Sequence, residues 1–401
     1  MRNFYIFLVM LVAVNGAMAQ WVPQNSETDA ELKSVFFLND DTGYAVGGFN
    51  DCSEGTGYIL KTIDGGDNWI DATSIASHML QSVYFTDLST GYLSGFGNIY
   101  KTIDGGDTWN VMFSLGGYRF RSIYFSDINK GYAVGCDEWE PVGGVILKTS
   151  DGGITWNNTG AMPQWAIHFP DVYTGYSVGF GTIYKTIDGG STWLLILSLE
   201  PSGETFTSVY FTNENNGFAV TTYGSIYKTS DGGTTWTNQT YSTPLSSVYF
   251  PDPSIGYIVG NGGTILKTVD GGATWFNQSS GTSNDLYSVF FANTNTGYAV
   301  GDSGTIIKTT NGGTTGLNES DIKLRLINIY PTPSNNIITI ETTLLSRETY
   351  LSILNINGQK LIERMINVNK IQIDISNLPS GIYFVKLQNR NTIEIRKMIK
   401  Q

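Results

Sequence analysis

The chain has 401 residues and a formal net charge of −12, with 14% charged residues, 13% aromatic residues and 47 glycines. At roughly 150 residues per domain the length allows two or three domains. The abundance of Tyr, Phe and Gly predicts all-β domains rich in turns. Residues 20–316 carry 28 acidic against 11 basic side chains, so nucleic acid is not an expected partner. With only His78 and His168, a multi-histidine metal site is excluded, and no cofactor is predicted.

The N-terminus has the pattern of an export signal. Arg2 and Asn3 precede the apolar run Phe4–Val14, and Ala17-Met18-Ala19 forms a small-x-small cleavage site. The run is too short to cross a bilayer, and no later segment is apolar enough for a transmembrane helix. We therefore predict a signal peptide over residues 1–19 and an exported mature chain.

An internal repeat fills residues 20–316. The string K-T-x-D-G-G-x-x-W occurs six times, and a seventh copy has Asn311 in place of the Asp. The Asp positions, spaced 37 to 47 residues apart, are Asp64, Asp104, Asp151, Asp188, Asp231 and Asp270. Each repeat also contains three short runs of Val, Ile, Tyr and Phe, so it predicts four strands, which we label A to D. Seven units of this kind predict a seven-bladed β-propeller.

The two ends of the repeat region are complementary. The seventh copy has Gly316 where the others have Trp, while the mature chain begins Trp21-Val22-Pro23-Gln24, similar to Trp275-Phe276-Asn277-Gln278. We therefore expect residues 21–24 to form the outer strand of the seventh blade, beside Ile306 and Lys308. Such a strand would close the propeller and protect its edge.

The D-G-G turns identify the hairpins between strands C and D as Asp boxes. Over residues 21–316 the repeat resembles Asp-box propellers, particularly the YCF48-like photosystem II assembly-factor repeat and, more distantly, sialidases. A sialidase clamps its substrate carboxylate with three arginines, whereas this region has only Arg119 and Arg121. The resemblance implies the propeller fold and says little about function.

Residues at repeat positions have structural interpretations. The six Asp-box aspartates could form an acidic calcium ring, but we favour caps on their own hairpins. His168 stands at the strand-A position held elsewhere by Phe or Tyr, so we favour a core role over a catalytic base. No catalytic residue or metal site is assigned.

Residues that the repeat does not explain fall on one predicted face. In a four-stranded blade the B-to-C and D-to-A loops lie opposite the Asp-box turns, and we call their side the loop face. The residue before each strand A should line the central channel there. The candidate binding residues are Lys33, Tyr118, Arg119, Arg121, Glu138, Trp139, Trp165 and Tyr287. Two interpretations stay open: ordinary loop decoration, since exposed aromatic residues alone do not prove a site, and a surface that binds a protein or glycan through aromatic and Arg contacts.

The two cysteines also map to the loop face. Cys52 and Cys136 lie in the only two enlarged B-to-C loops, those of the first and third repeats. A disulfide arching over the second blade is one possibility, and it requires Cα atoms within about 7 Å.

The C-terminal region differs in composition from the repeats. After a linker over residues 317–327, six short alternating runs between Ile337 and Ile399 predict a small Ig-like β-sandwich. Four segments, Asn328–Pro333, Ile356–Lys360, Leu378–Leu387 and Lys397–Lys400, resemble the type A sorting domain of the type IX secretion system; Thr332 departs from the usual Asn. The resemblance covers residues 328–401. It implies a secretion translocon and a sortase as partners, and delivery through the periplasm to the surface or exterior of a diderm bacterium.

Three functions are compatible with the sequence. The first is a non-enzymatic exported binding or scaffold module. The second is a carbohydrate-active hydrolase that uses carboxylates on the loop face, which the sequence cannot test because facing carboxylates are not visible in it. The third is a YCF48-like assembly factor for a membrane complex, which the sorting tail and the scarcity of arginine disfavour.

Overall fold

A computed structural model describes residues 21–49, 57–75, 78–138, 143–160, 162–200, 202–313, 327–330, 334–342, 349–355, 359–388 and 393–401. The chain divides into two compact units between residues 315 and 316. Both units consist of strands, and the one helical turn in the described ranges is a 3-10 turn at Asn261–Gly263. Over those ranges no helix is long and apolar enough to span a membrane. The prediction of an all-β protein is confirmed.

The larger unit contains six antiparallel sheets, five of four strands and one of six. The N-terminal strand is β1 (Val22–Gln24). The first four-stranded sheet is β2 to β5 (Glu31–Phe37, Gly43–Gly48, Gly57–Thr62, Ile70–Asp71). The six-stranded sheet is β6 to β11 (Leu80–Phe85, Gly91–Thr102, Asn110–Phe125, Gly131–Asp137, Gly144–Thr149, Asn157–Gly160).

The remaining sheets of this unit follow in chain order. They are β12 to β15 (Ala166–His168, Gly175–Gly179, Thr182–Thr186, Leu194–Ser198), β16 to β19 (Phe206–Phe211, Gly217–Thr221, Ser225–Thr229, Thr237–Thr240) and β20 to β23 (Leu245–Asp252, Ile255–Gly260, Thr264–Thr268, Phe276–Gln278). The last sheet joins β24 to β26 (Leu286–Phe291, Gly297–Gly301, Ile306–Thr309) to β1.

The six-stranded sheet combines the second and third repeats. The first half of β8 pairs with β7 and its second half pairs with β9, and Phe96 lies opposite Arg119. The segment predicted as a loop between these repeats is therefore part of a continuous strand. The side chains of Phe113, Leu115 and Tyr118 pack on the core around Phe120, which holds the segment extended.

The A strands contact one another in circular order, from β2 through β6, β8, β12, β16, β20 and β24 and back to β2. Each contributes one ring to a closed series of aromatic contacts, with centroids 4.5 to 5.3 Å apart. The members are Phe36, Tyr84, Tyr124, His168, Tyr210, Tyr249 and Phe290, and we call them the aromatic ring. These side chains fill the middle of the larger unit.

Trp21 takes the place of the Trp missing from the seventh repeat. It is fully buried and meets Phe291 edge-on at 5.7 Å and 88°, as Trp69 meets Phe37 at 5.8 Å and 90°. Strand β1 pairs antiparallel with β26, with Val22 opposite Lys308. This is the pairing that the sequence predicts, and it joins the first described residues to the last repeat.

Neighbouring repeats are tied through the Asp-box turns. Gly105, held at φ 70°, presents its carbonyl to the Tyr44 hydroxyl and to Lys61 Nζ of the preceding repeat, each at 2.7 Å. The seventh repeat binds the first in the same way, because the Tyr298 hydroxyl donates to the Gly65 carbonyl at 2.7 Å. The repeated Tyr and Lys are therefore explained by contacts between repeats.

The smaller unit contains a three-stranded sheet, β27-β28-β31, and a four-stranded sheet, β30-β29-β32-β33. Their bounds are Ile327–Tyr330, Ile337–Thr342, Thr349–Leu354, Lys360–Ile366, Lys370–Asp374, Gly381–Gln388 and Ile393–Lys400 for β27 to β33. Strand β27 was not predicted, and the other six correspond to the six predicted runs. Buried residues of both sheets form one core, including Ile340 and Ile373 from the first and Leu351 and Val385 from the second.

Candidate binding face

A β-bulge places the predicted channel-mouth residues. In six A strands the pairing with strand B skips one residue, which is left unpaired between its neighbours. The skipped residues are Lys33, Gln81, Arg121, Thr207, Ser246 and Tyr287. Trp165 holds the equivalent place before β12, where its N–H donates to the Val178 carbonyl at 2.7 Å. Bulges redirect side chains beside functional sites, and here they set six varied side chains apart from the regular alternation of the A strands.

The sequence contains a signal for this bulge. Leu32 and Val35 are both buried although they stand three positions apart, which breaks the two-residue period of a regular strand. The intervening Ser34 accepts a hydrogen bond from the Val83 N–H of the next repeat at 3.3 Å. An odd spacing of core residues could therefore have located the bulge before the structure was known.

One group of candidate residues lies over the third and fourth repeats. The Arg121 guanidinium lies 4.0 Å from the centre of the Trp165 ring, and Trp165 meets Phe180 edge-on at 6.1 Å. Arg119 donates to Glu138 at 2.7 Å, with both side chains mostly shielded from solvent. We call Arg119, Arg121, Glu138 and Trp165 the Arg-Trp cluster. A cation stacked on an indole forms a flat, rigid surface of the kind found at binding hot spots.

Three enclosed donors near this cluster have no acceptor in the described part of the chain. They are Gln81 Nε2, Arg119 Nε and Trp165 Nε1. A buried donor without a partner costs free energy, roughly 1–3 kcal/mol for a neutral group. The indole N–H groups of Trp21 and the six Asp-box tryptophans are enclosed and unpaired in the same way, so this feature belongs to the packing of the repeats.

A second group lies between the first and seventh repeats. Lys33 Nζ is 3.5 Å from the centre of the Tyr287 ring and 2.5 Å from Glu31. Burial and a hydrogen bond to Asp302 raise the pKa of Tyr287 well above its usual range. The candidate residues therefore form two groups of different charge, rather than a single patch.

The other predicted residues are Tyr118, Trp139 and the two cysteines. Tyr118 is half-buried and lies opposite Asp137 in the extended part of β8. Trp139 lies outside the described residues, and so does Cys52, so the predicted disulfide stays a prediction. Cys136 is buried, and its Sγ accepts a hydrogen bond from Arg121 Nε at 3.4 Å.

The Asp-box aspartates bond within their own hairpins. Asp104 accepts the Thr108 N–H at 2.9 Å and hydroxyl hydrogen bonds from Thr108 and Thr102 at 2.6 and 2.7 Å. These bonds lower the pKa of Asp104 to about 2. Asp64, Asp151, Asp188, Asp231 and Asp270 accept equivalent bonds. This arrangement gives the carboxylates a turn-capping role.

His168 is a neutral member of the aromatic ring. It packs between Tyr124 and Tyr210, and its Nδ1 accepts the Phe211 N–H of the next repeat at 3.3 Å. Burial of the imidazole lowers the pKa of His168 to about 3. A general base for work near neutral pH needs a pKa closer to 7.

The low pKa of His168 predicts an acid-sensitive stability. In the unfolded chain His168 has a pKa of about 6.5. Between that pH and about 3 the imidazole takes up a proton in the unfolded chain but not in the folded protein. The contribution of His168 to stability is therefore complete above about pH 6.5 and is lost as the pH falls toward 3. We expect the free energy of unfolding to drop by up to about 2 kcal/mol between about pH 7 and about pH 5. His168→Phe should remove this drop, as measured by urea unfolding at both pH values. An equal drop in the variant would contradict the prediction.

Two family models match parts of the chain. Residues 328–401 match the model described as a secretion system C-terminal sorting domain. Residues 241–342 match the model described as photosynthesis system II assembly factor YCF48. Both resemblances expected from the sequence are confirmed. No curated protein sequence matches the chain significantly.

Several solved structures are similar in fold. YCF48 bound to D1 peptide shares 20% identity and a TM-score of 0.60 over 73% of this chain and 97% of that chain. PorZ, a surface component of the type IX secretion system of Porphyromonas gingivalis, shares 12% identity and a TM-score of 0.52, covering 98% of this chain and 61% of that chain. The WD40 β-propeller domain of Doa1 shares 12% identity and a TM-score of 0.54 over 71% of this chain and 94% of that chain. At these identities the likeness concerns the fold alone, which is propeller-like.

Proposed function

We propose that this protein is an exported binding module. Residues 20–316 form a seven-bladed propeller that holds a protein or glycan ligand on its loop face. Residues 328–401 form an Ig-like sandwich that acts as the export address, with residues 317–327 as linker. Residues 1–19 are a signal peptide.

The seven-blade arrangement is supported by the circular contacts of the A strands. The aromatic ring has seven members, one from each repeat, and its last member, Phe290, contacts Phe36 at 5.1 Å. In this arrangement β7 contains strands B and C of the second repeat, and β8 contains strand D of the second repeat and strand A of the third.

The Arg-Trp cluster carries the binding proposal. Arg121 and Trp165 supply a stacked cationic and aromatic platform. Peptide carbonyls, carboxylates and sugar hydroxyls are acceptors that suit a guanidinium group, and peptide side chains and sugar rings stack on an indole. The rest of the repeat region is acidic, so a ligand acceptor is drawn most strongly to these two arginines.

The carboxylates of the loop face favour binding over hydrolysis. A glycosidase needs two carboxyl groups facing one substrate bond. Glu138 is paired with Arg119, Glu31 with Lys33, and Asp302 with the Tyr287 hydroxyl. Each is therefore engaged in holding a neighbouring side chain.

A YCF48-like assembly role is the second candidate. The similar structure of YCF48 was solved with a bound D1 peptide, which is a precedent for peptide binding on this fold. The sorting domain matched by residues 328–401 supports a destination at the cell surface or outside the cell, reached through a type IX translocon and a sortase. We therefore favour a ligand of the cell exterior.

Peptide and glycan arrays probed with the purified chain test this proposal. Arg121→Ala and Trp165→Ala should each weaken binding of a captured ligand about tenfold or more, because both remove a face of the platform. Ser246→Ala, at the same bulge position in the sixth repeat, is the matched control and should leave affinity unchanged. Equal binding by all variants, or release of cleaved glycan, would refute the binding role of this cluster.

A further inference from the structure

Large apolar side chains are exposed at the Asp-box turns and A-to-B loops of the first four repeats. Each is between 62% and 74% exposed. The residues are Ile63, Leu88, Ile103, Ile128, Ile154, Tyr173 and Ile187, and we call them the apolar crescent. They lie at the strand ends opposite the loop face, so they are separate from the Arg-Trp cluster.

The fold does not require these residues. The position held by Ile63, Ile103 and Ile187 is Ser150 in the third repeat, Ser230 in the fifth and Thr310 in the seventh, and the sixth repeat has Val269, which is only 38% exposed. The loop position of Leu88 and Ile128 is Glu214 in the fifth repeat and Thr294 in the seventh. The turns form equally well with polar residues there, so structure does not explain the apolar side chains.

Hydrogen bonds join the turns and loops that carry the apolar crescent. In each repeat the A-to-B loop hydrogen bonds to the Asp-box turn, as in the bonds from Gly105 N–H to the Ser89 carbonyl and from Gly152 N–H to the Asn129 carbonyl, both at 2.9 Å. Successive turns are linked by the Tyr hydroxyl bonds, such as Tyr92 to the Gly152 carbonyl at 2.8 Å. Exposed apolar patches of this extent mark interaction surfaces.

The charges around the crescent are negative. Asp67 and Asp107 have side chains 71% and 74% exposed, and hydrogen bonds lower the pKa values of the capping Asp64, Asp104 and Asp151. Lys308 and Lys61 pair with Asp67 and Asp107 at 3.1 and 3.3 Å. Lys130 Nζ lies 5.5 Å from the centre of the Tyr173 ring. Aspartates outnumber lysines in the Asp-box turns and A-to-B loops of the first four repeats, so the net charge there stays negative. The crescent therefore offers apolar contact flanked by anions.

We propose that the apolar crescent binds a basic amphipathic protein segment, with apolar side chains against the isoleucines and Lys or Arg against the aspartates. The charge complementarity selects this occupant, since an anionic lipid surface or an acidic protein would be repelled. The protein then has two binding faces, and this one does not depend on the loop-face ligand.

Peptide titration with the full chain tests this proposal. The probe is a short leucine–lysine peptide with an amphipathic helical pattern, compared with leucine–glutamate and serine–lysine peptides of the same pattern. The first should bind more tightly than the other two. The triple variant I63S/I103S/I187S copies residues of other repeats, so it should fold normally and lose about tenfold or more in affinity for the leucine–lysine peptide.

Matched controls separate this surface from general charge attraction. Phe276→Ser removes an exposed apolar side chain from β23, outside the crescent, and should leave affinity unchanged. Arg121→Ala should also leave it unchanged, which distinguishes this face from the loop face. Equal binding by wild type and the triple variant would overturn the proposal, as would equal binding of the leucine–lysine and serine–lysine peptides. Stronger binding to phosphatidylglycerol vesicles than to the leucine–lysine peptide would also overturn it.

Discussion

Replacing Trp21 with alanine is expected to lower the free energy of unfolding by about 3–5 kcal/mol, the range for truncating a large buried aromatic residue. Trp21 is fully buried and contacts Tyr257 and Phe291 edge-on, at 6.3 and 5.7 Å. It also anchors β1, a strand of three residues that covers the edge of β26. Loss of the anchor should therefore open the join between the two ends of the repeat region. Urea unfolding followed by Trp fluorescence measures the change in stability.

Two variants make this test specific. Val22→Ser changes a neighbouring residue that is 55% exposed, and should leave stability nearly unchanged. Trp109→Ala removes the same kind of edge-on contact, with Phe85 at 5.9 Å, in a core cluster that holds no residue of the seventh repeat or of the terminal strand. Hydrogen exchange at Ile306 to Thr309 should rise in the Trp21 variant alone. A loss of stability below about 1 kcal/mol in that variant, or unchanged exchange there, would contradict the role of β1.

Deleting Gly381 to Gln401 is expected to abolish delivery to the cell surface and leave a folded propeller in the periplasm. The deletion removes β32 and β33, and with them the buried side chains of Tyr383, Val385, Leu387 and Met398. The remaining strands of that sheet then lose half of their core, so the sorting unit cannot fold. The larger unit keeps its own core clusters and should keep its thermal transition. Surface labelling of intact cells and fractionation of the periplasm measure the two pools.

A point variant controls for indirect effects on export. Met365→Gln changes a side chain of the same unit that is 64% exposed, so it should be exported normally. Protein recovered from the surface should end upstream of Asn328, as expected if the tail is removed after export. Normal display of the deleted protein would refute the address function, and so would full-length surface protein that ends at Gln401.

The candidate site was partly predictable from the sequence. Comparing repeats identified the channel-mouth positions, because a residue that varies at a fixed repeat position is not required by the blade. Comparison could not show that Arg121 stacks on Trp165 or that Lys33 covers Tyr287, since each contact joins side chains of neighbouring repeats. It also missed the apolar crescent, because exposure at a turn depends on how the loops of each repeat pack together.

The sequence by itself determined the local structure of each repeat and the pairing between the two ends of the repeat region. Asp104 bonds only to residues within four positions, so its hairpin follows from composition and spacing. The terminal pairing of β1 with β26 was also readable, because a missing Trp at Gly316 and an extra one at Trp21 are complementary. Only the tertiary structure decided the extension of β8 across two repeats, the division of the candidate residues into two groups, and the contacts of His168. The extension of β8 depends on its pairing with strands on both sides. The contacts between Arg121 and Trp165, between Lys33 and Tyr287, and around His168 join side chains more than 40 residues apart, whose packing no local pattern specifies.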